Sequence, residues 1–202
     1  MIFHLFRRTP RDPSIASLYG AIVAQARVRA FYQCYGVPDS VNGRFELIVL
    51  HAVLLVSRLA REAEPGRLIG QAVFDQFCDD MDANLREMGV GDLAVPRQMR
   101  GIGEAFYGRQ RVYEEAMAEP DLAALAVALG RNVYGSGGQA VPAGAERLAA
   151  YVRAAVGRLA AQDGAALCRG KLGFPDPVQV LVEDDNISSC CGNEDGKTKA
   201  HG

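Results

Sequence analysis

The densest group of residues that could do chemistry is Asp79-Asp80-Met81-Asp82. Acidic pairs on helices bind magnesium in enzymes that act on isoprenoid diphosphates, and those pairs use a DDxxD spacing that puts the first and last carboxylates on one face. Here the fifth position is Ala83, and no second acidic motif completes a metal cage. The spacing favours a solvated acidic face or a protein-binding surface, and an isoprenoid- or lipid-binding enzyme using this cluster is the alternative.

Histidines and glycine-rich stretches do not add a second site. The three histidines are scattered, and His51 falls within the most apolar stretch, where one hydrogen bond in a core is its expected role. Gly101-Ile102-Gly103 departs from the GxGxxG spacing of a dinucleotide loop, and residues 135–138 lack the Lys-Ser/Thr of a phosphate loop. We therefore expect no catalytic residues, no metal and no cofactor, and hence a protein that is not an enzyme.

Cysteine usage and hydropathy indicate the compartment. The five cysteines are odd in number and contain no CxxC pair, which favours buried thiols, such as Cys34 and Cys78, in a reducing compartment. The longest apolar run, 47–56, is half of the roughly 20 residues that a membrane span needs. The segment MIFHLFRR reverses the order of a secretory signal. We expect a cytoplasmic protein, with peripheral contact at the inner face of the cytoplasmic membrane as a further possibility.

The stretch 97–113 is dense in arginine and tyrosine. Both residue types are enriched in protein-binding hot spots, and arginines also contact RNA phosphates, for example on a ribosome. A solvated face with intrahelical pairs such as Arg100–Glu104 is the third interpretation. The formal net charge of −2 gives no general attraction to nucleic acid, and we expect no DNA partner. The candidate partner-binding residues are Asp75, Asp79, Asp82, Arg86, Arg97, Arg100, Tyr107, Arg109 and Arg111.

Apolar periodicity predicts an all-α fold, a single bundle of about six or seven helices. Asp12-Pro13 is a helix start, and Gly89 is a left-handed helix end. Gly101, Gly103 and Gly108 each cost about 1 kcal/mol against alanine, which suggests close packing against a neighbour or a soft helix. The predicted helices cover about 13–35, 43–61, 67–88, 95–117, 122–134 and 143–162, with a short element near 167.

Three segments make up the predicted domain organisation. Residues 1–12 are expected to be a flexible N-terminal segment, and residues 13–172 a helical domain. Residues 173–202 are expected to be a disordered tail, because so few of the last residues are apolar that burial cannot offset the ordering entropy. Within that tail, 178–182 is the one stretch that could be extended.

Several stretches carry a family likeness: YQCYGVPDSVNGRF at 32–45, Leu50-His51, and 74–109 with DDMDANLREMGVGD and AFYGR. Over residues 17–129 the chain resembles the ubiquinol–cytochrome c chaperone family, bacterial relatives of a mitochondrial assembly factor for cytochrome b. The resemblance implies a non-enzymatic chaperone for the cytochrome bc1 complex, with immature cytochrome b as its client and the ribosome as a further partner. It supplies no catalytic residues.

Three functions are therefore compared below. The first is a bc1 assembly chaperone that binds its client through a charged, amphipathic helical surface. The second is the isoprenoid- or lipid-binding enzyme with magnesium at 79–82, and the third is a ribosome- or RNA-associated binding protein that uses the arginines at 97–111.

Overall fold

A computed structural model describes residues 12–137 and 140–184, and within these ranges the chain forms nine α-helices and no strand. The predicted all-α class is confirmed. The predicted boundaries agree with most of the observed ones within about two residues. The helices are α1 (Pro13–Ala26), α2 (Ala30–Gln33), α3 (Val41–Ala60), α4 (Gly66–Glu87), α5 (Val95–Met117), α6 (Ala123–Val133), α7 (Ala143–Ala160), α8 (Gly164–Cys168) and α9 (Pro177–Asp184).

Local capping explains where the first helices begin. The Asp12 carboxylate accepts from the Ser14 amide at 2.9 Å, and the Ser40 hydroxyl accepts from the Gly43 amide at 3.1 Å. Both side chains satisfy amides that have no partner within the helix. The predicted helix 13–35 is wrong in one respect, because it is broken after Ala26. The Tyr32 hydroxyl donates to the Ala26 carbonyl at 2.8 Å and holds the break.

The central element is α3, which packs against α1, α4, α5, α6 and α7. Its residues 49–55 are buried on every side, as the apolar run 47–56 predicts for a helix in the middle of a bundle. No helix in the described residues is both long and apolar enough to span a bilayer.

The C-terminal boundary of the domain lies beyond residue 172, so the predicted tail begins too early. Gln162 makes two hydrogen bonds with the backbone of Gly173, of 2.8 and 2.9 Å, and Phe174 packs on His51 with ring centroids 4.9 Å apart. Val180, inside the stretch suggested to be extended, is a buried residue of α9. The predicted disorder is therefore wrong for 173–184, and the predictions for 1–11 and 185–202 lie outside the described residues.

Candidate protein-binding surface

Helices α4 and α5 form an antiparallel hairpin joined by a turn at 88–94. The Phe74 ring lies 4.8 Å from Phe106 and 5.1 Å from Tyr107, centroid to centroid, so the middle of α4 is held against the middle of α5. Tyr107 is 52% exposed although it takes part in this contact. Ring contacts of this kind add about 1 kcal/mol beyond buried area and so help to hold the two helices together.

We call Phe74, Cys78 and Tyr107 the α4–α5 seam. The Cys78 thiol is half-buried, less than the burial expected for it. Burial, and to a smaller extent Asp75 and Asp79, raise the pKa of this thiol to about 11, so it is protonated at neutral pH. Burial, and to a smaller extent Cys78 and Asp75, raise the pKa of Tyr107. Phe74 and Cys78 are four residues apart and therefore share one face of α4. The seam is therefore an apolar strip with an aromatic ring open to solvent.

The outer face of α4 carries Asp75, Asp79 and Asp82, which we call the acidic rim. Asp75 accepts from the Gln71 side chain at 2.8 Å, and Asp82 accepts from Arg86 at 2.6 Å. Between Leu68 and Leu85 this helix has no lysine or arginine. The rim is therefore a row of carboxylates along α4, of which Asp82 is paired with Arg86.

Asp80 belongs to a different face from the acidic rim. Its carboxylate accepts from the Tyr19 hydroxyl of α1 at 2.8 Å, while Asp82 is engaged by Arg86. A magnesium site needs carboxylates that converge on one point, and these two point toward different partners. Among the described residues no group of three or more His, Cys, Asp or Glu could hold a metal. The geometry thus gives no support to the isoprenoid-enzyme alternative.

Arg86 stabilises the turn at the end of the hairpin through two ion pairs. It bridges Asp82 on α4, at 2.6 Å, and Asp92 in the turn, at 2.5 Å. Two large apolar side chains near it face solvent: Leu93 is 99% exposed and Met88 is 63% exposed. The tip of the hairpin therefore offers apolar contact area on an ordered turn.

The arginines of α5 are of two kinds. Arg97 and Arg100 are exposed and make no ion pair with any residue in 12–137 or 140–184, so the suggested Arg100–Glu104 pair is not formed there. Arg111 is also exposed but pairs with Glu115 at 2.8 Å. All three side chains face outward, as a binding surface requires.

Arg109 differs from its neighbours because it is turned inward. It donates from Nε at 2.6 Å and from Nη2 at 2.5 Å to the two carboxylate oxygens of Glu46 on α3, whose side chain is 3% exposed. Burial raises the pKa of Glu46, and the Arg109 guanidinium opposes that shift. Arg109 is therefore a structural residue, and we leave it out of the surface proposed below. Sequence reasoning missed the pair because Glu46 precedes an apolar run and gives no signal of a partner 63 residues away.

The glycines of α5 do not pack against a neighbour. A Cβ placed on Gly101, Gly103 or Gly108 would meet nothing within 4 Å in the described residues. Close packing inside the domain therefore does not explain them. Because glycine has no side chain, they leave backbone uncovered on α5 next to Arg100 and Tyr107.

His51 is a core residue with two hydrogen bonds, one more than expected. Nδ1 lies 2.7 Å from the Leu47 carbonyl and Nε2 lies 2.9 Å from the Tyr151 hydroxyl. Because a carbonyl only accepts, Nδ1 carries the proton and Nε2 accepts from Tyr151. The Tyr151 oxygen in turn accepts from Gln25 at 3.0 Å. Burial lowers the pKa of His51 to about 4, so the ring is neutral and enclosed.

The fold and surface together define an all-α domain that presents charge, an aromatic seam and an apolar tip along one helical hairpin. The model of the ubiquinol-cytochrome C chaperone family matches residues 33–174, well over half of the chain. The chain belongs to this family, which confirms the resemblance found in the sequence.

Relatives and a solved structure agree with that assignment. Ubiquinol-cytochrome-c reductase complex assembly factor 1 of Xenopus laevis is 27% identical over 147 residues, covering 73% of this chain and 72% of the relative. The human protein of that name is 25% identical over 147 residues, covering 73% of this chain and 48% of the relative. This chain thus spans about half of the human relative. The crystal structure of the Cbp3 homolog from Brucella abortus superimposes with a TM-score of 0.76 at 34% identity, covering 84% of this chain and 92% of that one.

Proposed function

We propose that this chain is an assembly chaperone for the ubiquinol–cytochrome c reductase (bc1) complex. The family match over residues 33–174 carries this proposal, and the relatives named as assembly factors for that complex support it. The protein acts by binding and requires no cofactor or catalytic residue. Its client is immature cytochrome b, which it receives in the cytoplasm or at the inner face of the membrane.

The surface that receives the client is the α4–α5 hairpin. An amphipathic helix binds to a surface that offers an apolar strip flanked by charge. The seam supplies the strip through Tyr107, and the tip extends it through Met88 and Leu93. Methionine adapts to apolar partners of different shape, which suits a chaperone.

Charge on both sides of the seam sets the orientation of the client. The acidic rim lies on α4, and Arg97 and Arg100, which make no ion pair within the described residues, lie on α5. Exposed charges contribute mainly to the association rate and to the choice of partner, and less to affinity. A client segment with complementary charges is therefore bound in one register.

Charge reversal of the rim tests this proposal. We expect Asp75→Lys/Asp79→Lys/Asp82→Lys to lower the haem b absorbance of isolated membranes several-fold while the helical content of the variant is unchanged. The matched control reverses three exposed acids outside the hairpin, Glu119, Glu146 and Glu183, and should assemble normally. Normal cytochrome b in both the rim variant and a deletion strain would refute the proposal.

A ribosome contact is a second function that the exposed Arg97 and Arg100 favour. Contacts between arginine and phosphate weaken steeply as salt rises. We expect cosedimentation with ribosomes that falls between 50 and 200 mM salt and that is lost in Arg97→Glu/Arg100→Glu. Cosedimentation that this variant retains would remove the ribosome from the proposed partners.

A further inference from the structure

Helix α5 packs against α3, α4 and α6, and the side turned away from these helices is exposed. Six residues on that side recur at alternating spacings of four and three, the spacing at which two helices pair along a seam. We call them the α5 outer row: Arg97, Gly101, Glu104, Gly108, Arg111 and Glu115. At about 1.5 Å per residue, the row extends over about 27 Å. It is therefore a helix face long enough to receive a second helix.

The two ends of the α5 outer row carry charges that are self-complementary. Arg97 lies nine residues before Phe106, and Glu115 lies nine residues after it. When two copies of α5 run antiparallel about a two-fold axis at the level of Phe106, Arg97 of each copy faces Glu115 of the other. The contact then contains this ion pair twice, because a two-fold interface repeats every contact. A parallel pair would instead place like charges together at every level, which is unfavourable.

The residues between these ends are matched in size. Gly101 and Arg111 lie five residues on either side of the same level. Glu104 and Gly108 lie two residues on either side of it. In the antiparallel pair each long side chain therefore lies opposite a glycine of the other copy. A Cβ on either glycine would meet nothing within 4 Å among the described residues, so the space opposite the long side chains is open.

The charged groups of the α5 outer row are available for this pairing. Arg97 and Glu104 make no hydrogen bond or ion pair with any other residue that the structure describes. In the antiparallel pair Glu104 lies one helical turn from Arg111 of the other copy. Glu115 accepts from Arg111 of its own chain at 2.8 Å, in a pair whose side chains are 63% and 80% exposed. That pair can remain, because a carboxylate has acceptor sites for more than one guanidinium.

We propose that two copies of this chain pair through the α5 outer row as an antiparallel dimer with two-fold symmetry. Tyr107 and Val112, which are 52% and 40% exposed, flank the row and add apolar contact. An exposed ion pair contributes up to about 1 kcal/mol, and one pair of helices offers less area than the roughly 1,200 Å² of a stable interface. The dimer is therefore weak, with a dissociation constant of about 10 µM or higher.

Self-association goes beyond the proposed function, because it requires no client. Arg97 belongs both to the α5 outer row and to the surface proposed for the client. If both proposals hold, a client and a second copy exclude each other at this arginine, and a client that binds more tightly than the weak dimer separates the two copies.

Sedimentation equilibrium of the purified full chain tests the pairing. As the concentration rises from about 5 to about 500 µM, we expect the mean mass to rise from that of the 21.7 kDa monomer toward twice that value. The rise should be smaller at about 1 M salt, where the Debye length falls to about 3 Å and exposed ion pairs are screened. A chain that stays monomeric over this range at low salt would overturn the proposal.

Charge exchange and a bulky substitution show which residues form the contact. Arg97→Glu removes two ion pairs and should raise the dissociation constant about tenfold, and Arg97→Glu/Glu115→Arg should recover most of that loss. Gly108→Leu enters open space in the monomer and should weaken the pairing at least as much, because it holds the helices apart. Arg67→Glu, at an exposed position of α4, is the matched control and should pair as the native chain does. Pairing that Arg97→Glu or Gly108→Leu leaves unchanged would also overturn the proposal.

Disulfide formation tests the antiparallel register and keeps the ion pairs at the ends of the row. In Gly101→Cys/Arg111→Cys the two new thiols lie about 15 Å apart along one helix, and bonded cysteines have Cα atoms less than about 7 Å apart, so a bond must join two chains. In a background with serine at positions 190 and 191, oxidation at about 500 µM should give mostly covalent dimer, and Gly101→Cys or Arg111→Cys alone should not. Covalent dimer in a single variant, or none in the double variant, would contradict this register. Because no client is present, normal bc1 assembly in the rim variant would refute the proposed function and leave these results unchanged.

Discussion

The guanidinium of Arg109 binds both carboxylate oxygens of Glu46, which joins the middle of α5 to the first turns of α3. Further along both helices, the Ser57 hydroxyl of α3 donates to Glu114 of α5 at 2.6 Å and adds a second polar contact between them. The helix that carries the exposed arginines is thus oriented by buried charges. Changes to Arg109 should therefore affect stability, whereas changes to its exposed neighbours should affect binding.

Replacing Arg109 tests whether it stabilises the fold while its exposed neighbours do not. We expect Arg109→Ala to lower the free energy of unfolding by about 3 kcal/mol, because it leaves the Glu46 carboxylate buried without a partner. Arg111→Ala removes an exposed pair and should change it by less than about 1 kcal/mol. The double variant Glu46→Leu/Arg109→Leu should recover most of the loss. Urea titration measures all three, and equal losses for the two single variants would contradict the interpretation.

The buried His51 predicts a pH dependence of stability. The ordinary pKa of histidine is 6.5, and in the folded chain it is lowered to about 4. Between these values the unfolded chain binds a proton that the folded chain does not, so stability falls as pH decreases from 6.5 toward 4. We expect a loss of about 2 kcal/mol between pH 7 and pH 5, measured by urea unfolding.

The variant His51→Gln is the control for that titration. We expect it to be less stable at every pH and to lose most of the dependence of stability on pH between pH 7 and pH 5, because no ring remains to be protonated. The quantity to compare is the slope of the unfolding free energy against pH, not the unfolding free energy itself. A native slope that survives in His51→Gln would assign the titration to another group.

The open glycines of α5 predict a variant that gains stability. Replacing Gly101 and Gly108 by alanine adds methyl groups that meet nothing within 4 Å among the described residues. Each change should stabilise the helix by about 0.5–1 kcal/mol, and thermal unfolding measures the sum. If a client approaches this face closely, the more stable variant will also support less cytochrome b accumulation.

Gly144 provides the opposite control for these substitutions. A Cβ there would lie 2.1 Å from the Tyr35 carbonyl oxygen and 3.0 Å from the Tyr134 ring, so Gly144→Ala should destabilise the domain. Loss of stability in Gly101→Ala/Gly108→Ala would show that α5 needs these glycines for its own geometry.

Truncation tests the corrected domain boundary. Ending the chain at residue 172 removes Phe174, the buried Val180, and the Pro177 carbonyl that accepts from Tyr35 at 2.7 Å. We expect this variant to lose about 3 kcal/mol or more of unfolding free energy, since burial of one such apolar side chain contributes about 1.5–3 kcal/mol. A chain that ends at Asp184 keeps all of these contacts and should unfold as the full chain does. Equal stability of the two truncations would restore the boundary at 172.

Local signals explain which elements could be predicted from the sequence. Helix starts at Asp12-Pro13 and Ser40, and the end at Gly89, follow from side-chain and glycine chemistry within a few residues. α9 begins with the same kind of signal, since the Asp176 carboxylate accepts from the Val178 amide at 2.9 Å and Pro177 occupies the first turn. The sequence analysis assigned this helix start to the predicted disordered tail because the chain after residue 182 is polar.

Long-range pairs could not be predicted in this way. Glu46–Arg109, His51–Tyr151 and Tyr19–Asp80 join residues 63, 100 and 61 positions apart, and no periodicity indicates such a separation. As a result the surface was predicted with Arg109 included. The exposed positions of Asp75, Asp79, Arg97, Arg100 and Tyr107 follow from helical spacing alone, and the structure places them outward.

The last part of the folded domain to be translated is bonded to the first. The Ser17 hydroxyl donates to the Gly170 carbonyl 153 residues later, and Gln25 donates to Pro175 across 150 residues. While translation is in progress, α1 therefore lacks these partners, although the α4–α5 hairpin, whose contacts are between near neighbours, can already form. Such late closure makes folding slow, and a nascent chain would display its hairpin before the rest of the molecule is complete.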